Sequence, residues 1–176
     1  MTINKNLIKL DTQVTGNIGM YYACYKLSCM GWNVMPTSRN ARGIDIIAYN
    51  KNATDFIGVQ IKTLSKRNAV PLGNSLDKVM GDFWIIINNV NNGGKELSSF
   101  IISPEEIKKL AHKTEKNEVI AWWLEPKDYD KTEFKGAWGK IGHGHDFSEA
   151  QISHGLPIPC QQAEVRRHNG MKARTV

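Results

Sequence analysis

An aspartate, a glutamine and a lysine, Asp45, Gln60 and Lys62, stand in two apolar segments joined by a turn, and their types suit one kind of chemistry. Gln60 and Lys62 are two residues apart in the segment Phe56 to Leu64, FIGVQIKTL, where Ile57, Val59 and Ile61 take the alternate positions. In an extended strand that spacing puts both polar side chains on one face. Asp45 lies at the start of the preceding apolar segment, Ile44 to Tyr49, and a turn over 50–54 folds the two segments side by side. A carboxylate, an amide oxygen and the Ile61 carbonyl are hard oxygen donors of the kind that hold Mg²⁺ or Mn²⁺, the remaining positions staying with water and phosphate. A lysine beside such a water can orient or deprotonate it for attack on phosphorus, or offset the charge that develops there. Taken by themselves, Gln60 and Lys62 fit better as the wet face of a half-exposed strand, because such alternation is common.

The elements around these residues are legible from periodicity. Apolar residues at Ile18, Tyr22, Ala23, Leu27 and Met30 fall on one face of a helix over 16–30, which Gly31 ends. Trp32 to Met35 reads as a short strand stopped by Pro36, and 37–42 as a polar, basic loop. Residues 65–81 read as loop, Phe83 to Asn88 (FWIIIN) as a buried strand, 91–94 as a turn, and Phe100 to Ile102 as another strand. Ser103-Pro104-Glu105-Glu106 has the form of a helix start, with a serine N-cap, proline in the first turn and acids beside it. Ile120 to Leu124 completes the set as a further strand. A helix, a hairpin-connected sheet and a second helix give an α/β sandwich around a mixed sheet. A Rossmann fold, with a helix between successive strands, is excluded.

The 176 residues allow one domain, read as 1–138, with an irregular extension over 139–176 that ends in a basic tail. No run approaches the roughly 18 apolar residues of a membrane span, and the first ten residues lack the pattern of a signal peptide, so a cytoplasmic protein is expected. Cys24, Cys29 and Cys160 are odd in number, and the first two sit in the helical pattern, which suggests buried thiols. The net charge of +6 favours a polyanionic partner.

The segment RGIDIIAYN, a spacer and FIGVQIKT resembles the catalytic core of the PD-(D/E)xK nuclease superfamily, in the QxK variant of Mrr-type restriction endonucleases. Gly16, Gly19, Ala23, Leu27, Gly31, Trp32 and Val34 fall in register with the helix that precedes that core in such nucleases. The resemblance covers about 16–64 and implies a restriction-endonuclease-like α/β/α sandwich around a central mixed sheet. It further implies a metal-dependent DNA endonuclease with Asp45, Gln60 and Lys62 as catalytic residues and Asp45, Gln60 and the Ile61 carbonyl on Mg²⁺ or Mn²⁺. One position departs: the family's helix commonly carries a glutamate where this chain has Met20. A catalytically degenerate nucleic-acid-binding or assembly module of the same fold is therefore the alternative. RNA stays open beside DNA as substrate, and a homodimer as the assembly.

Arg39, Arg42, Lys66 and Arg67 flank the core in sequence and are candidates for phosphate contacts, with ordinary loop charge the equal alternative. The pair His143 and His145 is better explained as a polar loop than as a zinc site, which needs more ligands. Trp122 and Trp123, in an apolar run, fit a core position better than a base-stacking one.

Overall fold

The computed structural model describes residues 10–38, 43–91 and 97–145. Helix α1 spans Thr12–Cys29, and Asp11 caps it by accepting the Val14 amide at 2.7 Å. Its far end closes in a Schellman motif. Gly31, at φ +86°, donates to the Ser28 carbonyl, and Trp32 donates to the Leu27 carbonyl. Trp32 and Leu27 then bury together in the core.

Five strands form the central sheet in the order β1-β2-β3-β5-β6: β1 Asn33–Pro36, β2 Ile46–Tyr49, β3 Phe56–Thr63, β5 Phe83–Asn88 and β6 Ser98–Ile102. β2 and β3 pair antiparallel, as the turn between them requires, whereas β3 and β5 run parallel. The sheet is thus mixed, as expected. Ala23 and Leu27 of α1 pack with Ile46, Ala48, Val59, Ile85, Ile87 and Ile101 on one face. Gly19 lets the helix approach: a Cβ there would lie 1.8 Å from Thr63 Oγ1.

The opposite face is covered chiefly by a second sheet. Its strands are β4 Val70–Gly73, β8 Val119–Leu124 and β7 His112–Lys116, in the order β4-β8-β7. Val70, Leu72 and Leu124 meet Trp84, Ile86, Phe100 and Ile102, with Ile107 of α2 (Pro104–Leu110) and Tyr129 of α3 (Pro126–Tyr129) beside them. The loop expected over 65–81 is corrected: it holds β4 and a 3₁₀ turn at Leu76–Lys78. Pro71 hides β4 in the sequence, because proline in a strand is tolerated only where its missing N–H is not needed, as at this sheet's edge. β7, HKTEK, is largely exposed and has no apolar periodicity to read.

Residues 139–145, which the sequence assigns to the extension, pack on this body. Ile141 joins the α1-side core, and Gly144 donates to the Met30 carbonyl at 3.1 Å. The extension from 146 onward lies outside the described residues. Cys24 is a free thiol whose pKa burial pushes up, while Cys29 is disulfide-bonded, which corrects its reading as a thiol.

The start of α2 follows its sequence. Ser103 Oγ accepts the Glu106 amide, and the Glu106 carboxylate accepts the Ser103 amide at 2.8 Å. Burial acts to raise the Glu106 pKa, but the hydrogen bonds from Ser103 and Lys140 outweigh it and hold the carboxyl below its ordinary value. A lowered folded-state pKa stabilises the fold above the ordinary carboxylate range, and that contribution fades as pH falls through the folded value. Ser103→Ala is expected to cost about 1 kcal/mol at neutral pH. Alanine keeps the backbone N–H that the Glu106 carboxylate accepts, so this loss should change little in acid, whereas a Glu106→Gln loss should shrink there, as urea melts at neutral and acid pH will show.

Candidate active site

Asp45 sits one residue before β2, where the pairing with β3 is finishing. Its amide donates to the Val59 carbonyl at 2.9 Å, and its own carbonyl accepts the Thr37 amide at 2.9 Å. β2 pairs with β3 only as far as Ile46 opposite Val59, so the Ile61 amide has no β2 carbonyl to meet. The Asp45 carboxylate takes that place, with Oδ2 accepting the Ile61 N–H at 2.7 Å. In an extended strand a residue's N–H and C=O point to the same side. The Ile61 carbonyl therefore lies on the strand edge that Asp45 caps.

Gln60 and Lys62 project from the other face of β3 to Val59, toward the second sheet, as the register Gln60 with Trp84 and Lys62 with Ile86 dictates. Both line a cavity of about 730 Å³. Gln60 is only 9% exposed, and its Oε1 is buried with no hydrogen-bond partner among the described residues. An unpaired buried amide oxygen costs about 1–3 kcal/mol, so this one stands out. Lys62 Nζ lies 5.4 Å from the ring centroid of the buried Trp84, a cation–π contact. Trp84 is itself fixed by its Nε1–H, which donates to the Met80 carbonyl at 2.9 Å. The wall facing the sheet comes from β4 and the 3₁₀ turn, with Ser75, Asp77 and Lys78 at the cavity. Periodicity does not reveal those three or Trp84 as site residues, because 65–81 reads as loop and Trp84 as core. The Ser75-Leu76-Asp77 pattern, a serine two residues before an acid, was the available signal for a capped turn.

The hard donors around β3 are oxygens, the type a hard dication takes. They are the Asp45 carboxylate and the Ile61 carbonyl on the β2 side, neither residue lining the cavity, and the Gln60 amide oxygen, which has no partner among the described residues. Among the described residues no three His, Cys, Asp or Glu side chains gather as a metal cluster. His143 and His145 line a separate polar cavity beside the turn at Asn50–Asn52.

The flanking cations distribute differently. Arg39 and Arg42 lie outside the described residues. Lys66 is exposed and lines another cavity, with Thr12, Thr15 and Thr63 at the end of β3. Arg67 donates through Nε to Asp130 at 2.5 Å and through a terminal nitrogen to the Pro126 carbonyl, which ties the loop after β3 to α3. The tryptophans are engaged by the protein: Trp122 packs on the second core, Trp123 stacks on His112, and Trp138 donates to Ser99 Oγ. Met20 packs against the α1-side core, on the other side of the sheet from Gln60 and Lys62.

Among solved structures the fold is similar to that of a bacterial homing endonuclease, I-Ssp6803I, with a TM-score of 0.51 and 15% sequence identity. The similarity covers 75% of this chain and 93% of that one. At that identity the likeness is one of fold: an endonuclease-like α/β architecture. No family model matches the sequence, and no curated protein matches it.

Proposed function

We propose that this protein is a metal-dependent endonuclease that hydrolyses phosphodiester bonds of DNA, through a site of the PD-(D/E)xK type. The carrying observation is that Gln60, which lines the cavity together with Lys62, has a buried Oε1 with no partner among the described residues, with Asp45 tied to the residue between the two. Asp45, Gln60 and the Ile61 carbonyl would hold Mg²⁺ or Mn²⁺, which supplies Lewis-acid polarisation of the scissile phosphate and activation of water. Lys62, held over Trp84, donates to a phosphate oxygen and offsets charge there as the new P–O bond forms and the bond to the leaving oxygen breaks. Lys66, Arg39 and Arg42 are proposed to contact the DNA backbone, which positions it without reading bases. Arg67, bound to Asp130, is left the weakest of the four for that role.

The fold likeness to an endonuclease supports this reading at the level of architecture. Incubating supercoiled DNA with the protein in Mg²⁺ or Mn²⁺ should yield nicked and linear products that EDTA prevents. Intact DNA in every metal would reject the proposal.

The binding-only alternative is favoured by one observation, the packing of Met20 where the family's acid would stand. Met20→Glu would place a charge against that core and is expected to lower stability by about 1–3 kcal/mol with no gain in Mn²⁺ affinity. A rise in Mn²⁺ affinity, read by calorimetry, would instead show that position 20 still faces the site.

A further inference from the structure

We infer that Lys78 is a positioning residue that grips a backbone phosphate of the DNA in the cavity that Lys62 also lines; the inference rests on the DNA-cleaving function proposed above. The lining of this cavity holds two ammonium groups, Lys62 on β3 and Lys78 on the 3₁₀ turn, and one acid, Asp77. Asp77 does not neutralise its neighbour. Its carboxylate accepts from Ser75 Oγ at 2.7 Å, whereas Lys78 Nζ donates to the neutral Asn74 Oδ1 at 2.6 Å. Lys62 rests on the ring of Trp84. Among the described residues neither ammonium pairs with a carboxylate, in contrast to Arg67 with Asp130 and Lys140 with Glu106. Two uncompensated cations at one partly enclosed cavity raise its potential, and an anion seated there relieves their repulsion. Much of the remaining lining is apolar, with Pro71, Leu72, Met80 and Trp84, which suits the sugar attached to a phosphate.

The turn presents Lys78 in a fixed pose. Val79 is buried in the second core and donates to the Leu76 carbonyl at 3.0 Å, which anchors the turn. β4 ends at Gly73, at φ +97°, and the Lys78 stem lies against it: a Cβ at Gly73 would stand 3.5 Å from Lys78 Cδ. The bond to Asn74 holds the other end of the side chain. An ammonium has three N–H donors, so two remain for phosphate oxygens. A side chain ordered beforehand loses less freedom when the ligand arrives. Lys62 acts on charge that develops during reaction, whereas Lys78 holds charge the substrate already carries.

The competing account makes Lys78 a brace for its own turn, through Asn74. Its charge would then be irrelevant to DNA, and removing Asn74 would do the same harm as removing Lys78.

The test measures binding of a labelled DNA duplex to the full chain by fluorescence anisotropy, in EDTA over a series of KCl concentrations. The proteins are wild type, Lys78→Gln, Lys78→Arg, Asn74→Ala and, as a control for general surface charge, Lys116→Gln on β7, two strands away from β4. Thermal melting verifies that each is folded. Lys78→Gln should make the slope of log affinity against log salt shallower by about 0.9, the effect of one lost phosphate contact. Lys78→Arg, Asn74→Ala and Lys116→Gln should keep the wild-type slope. In Mg²⁺, the Lys78→Gln loss in kcat/KM should fall mainly on KM. A wild-type slope for Lys78→Gln, or an equal change in Lys116→Gln, overturns the inference and leaves the endonuclease reading standing if the protein cleaves. If Lys78 sets the slope but DNA stays intact in every metal, the phosphate contact stands and the endonuclease reading falls. If wild type binds no DNA, both fall.

Discussion

Lys62→Ala is expected to slow DNA cleavage by about 10²–10⁴-fold while leaving DNA affinity within a few-fold. Lys62 is half-buried, and its ammonium rests over the face of Trp84 in the cavity that also holds Gln60. A cation fixed there acts most strongly on charge that appears during reaction, because the partly enclosed cavity screens it less than open solvent would. Alanine removes that term and little else, since a phosphate-rich ligand draws most of its affinity from many contacts. Lys62→Arg should restore part of the rate, limited by the fork shape of the guanidinium over the same ring. Single-turnover cleavage in Mg²⁺ gives the rate, and gel shifts in EDTA give the affinity. A variant that cleaves at the wild-type rate would remove Lys62 from the chemistry, whereas equal losses of rate and binding would make it a phosphate contact only.

Gln60→Met should separate stability from function. Methionine has nearly the volume and shape of glutamine but no amide to desolvate. Because Gln60 Oε1 is buried with no partner among the described residues, the substitution is expected to stabilise the metal-free protein by about 1 kcal/mol. It should at the same time abolish Mn²⁺-induced stabilisation and metal-dependent cleavage. A stability gain that accompanies a lost activity is the behaviour of a site held under local strain for function. Urea melts with and without Mn²⁺ measure both halves. A loss of more than about 2 kcal/mol without metal would show that the amide is satisfied within the fold, and with it the main support for the site would go.

The parts of this fold that were readable are those in which one face is apolar and the other polar. FIGVQIKT alternates because Ile57, Val59 and Ile61 meet the α1 side while Gln60 and Lys62 meet the cavity. FWIIIN has no alternation because both faces of β5 are buried, and its length alone marked it as a strand. The helix start at Ser103 was legible from local chemistry, which tertiary contacts do not alter. What stayed hidden lies at edges: β4, interrupted by Pro71, and β7, a polar edge strand held through β8. Missing β4 also concealed half of the cavity, so Asp77 and Lys78 could not be placed opposite Gln60. The spacing of Gln60 and Lys62 indicated a shared face, but not that Asp45 would bend to cap the Ile61 amide. That contact arises because β2 stops pairing at Ile46, a register detail no periodicity reports.

Whether Asp45, Gln60 and the Ile61 carbonyl form one metal site next to Lys62 is decided by anomalous scattering from crystals soaked in Mn²⁺. A peak is expected at about 2.1 Å from an Asp45 carboxylate oxygen, Gln60 Oε1 and the Ile61 carbonyl oxygen, strengthened when a DNA duplex is present. A map with no peak there, in which Gln60 Oε1 accepts a hydrogen bond from the protein instead, would contradict it.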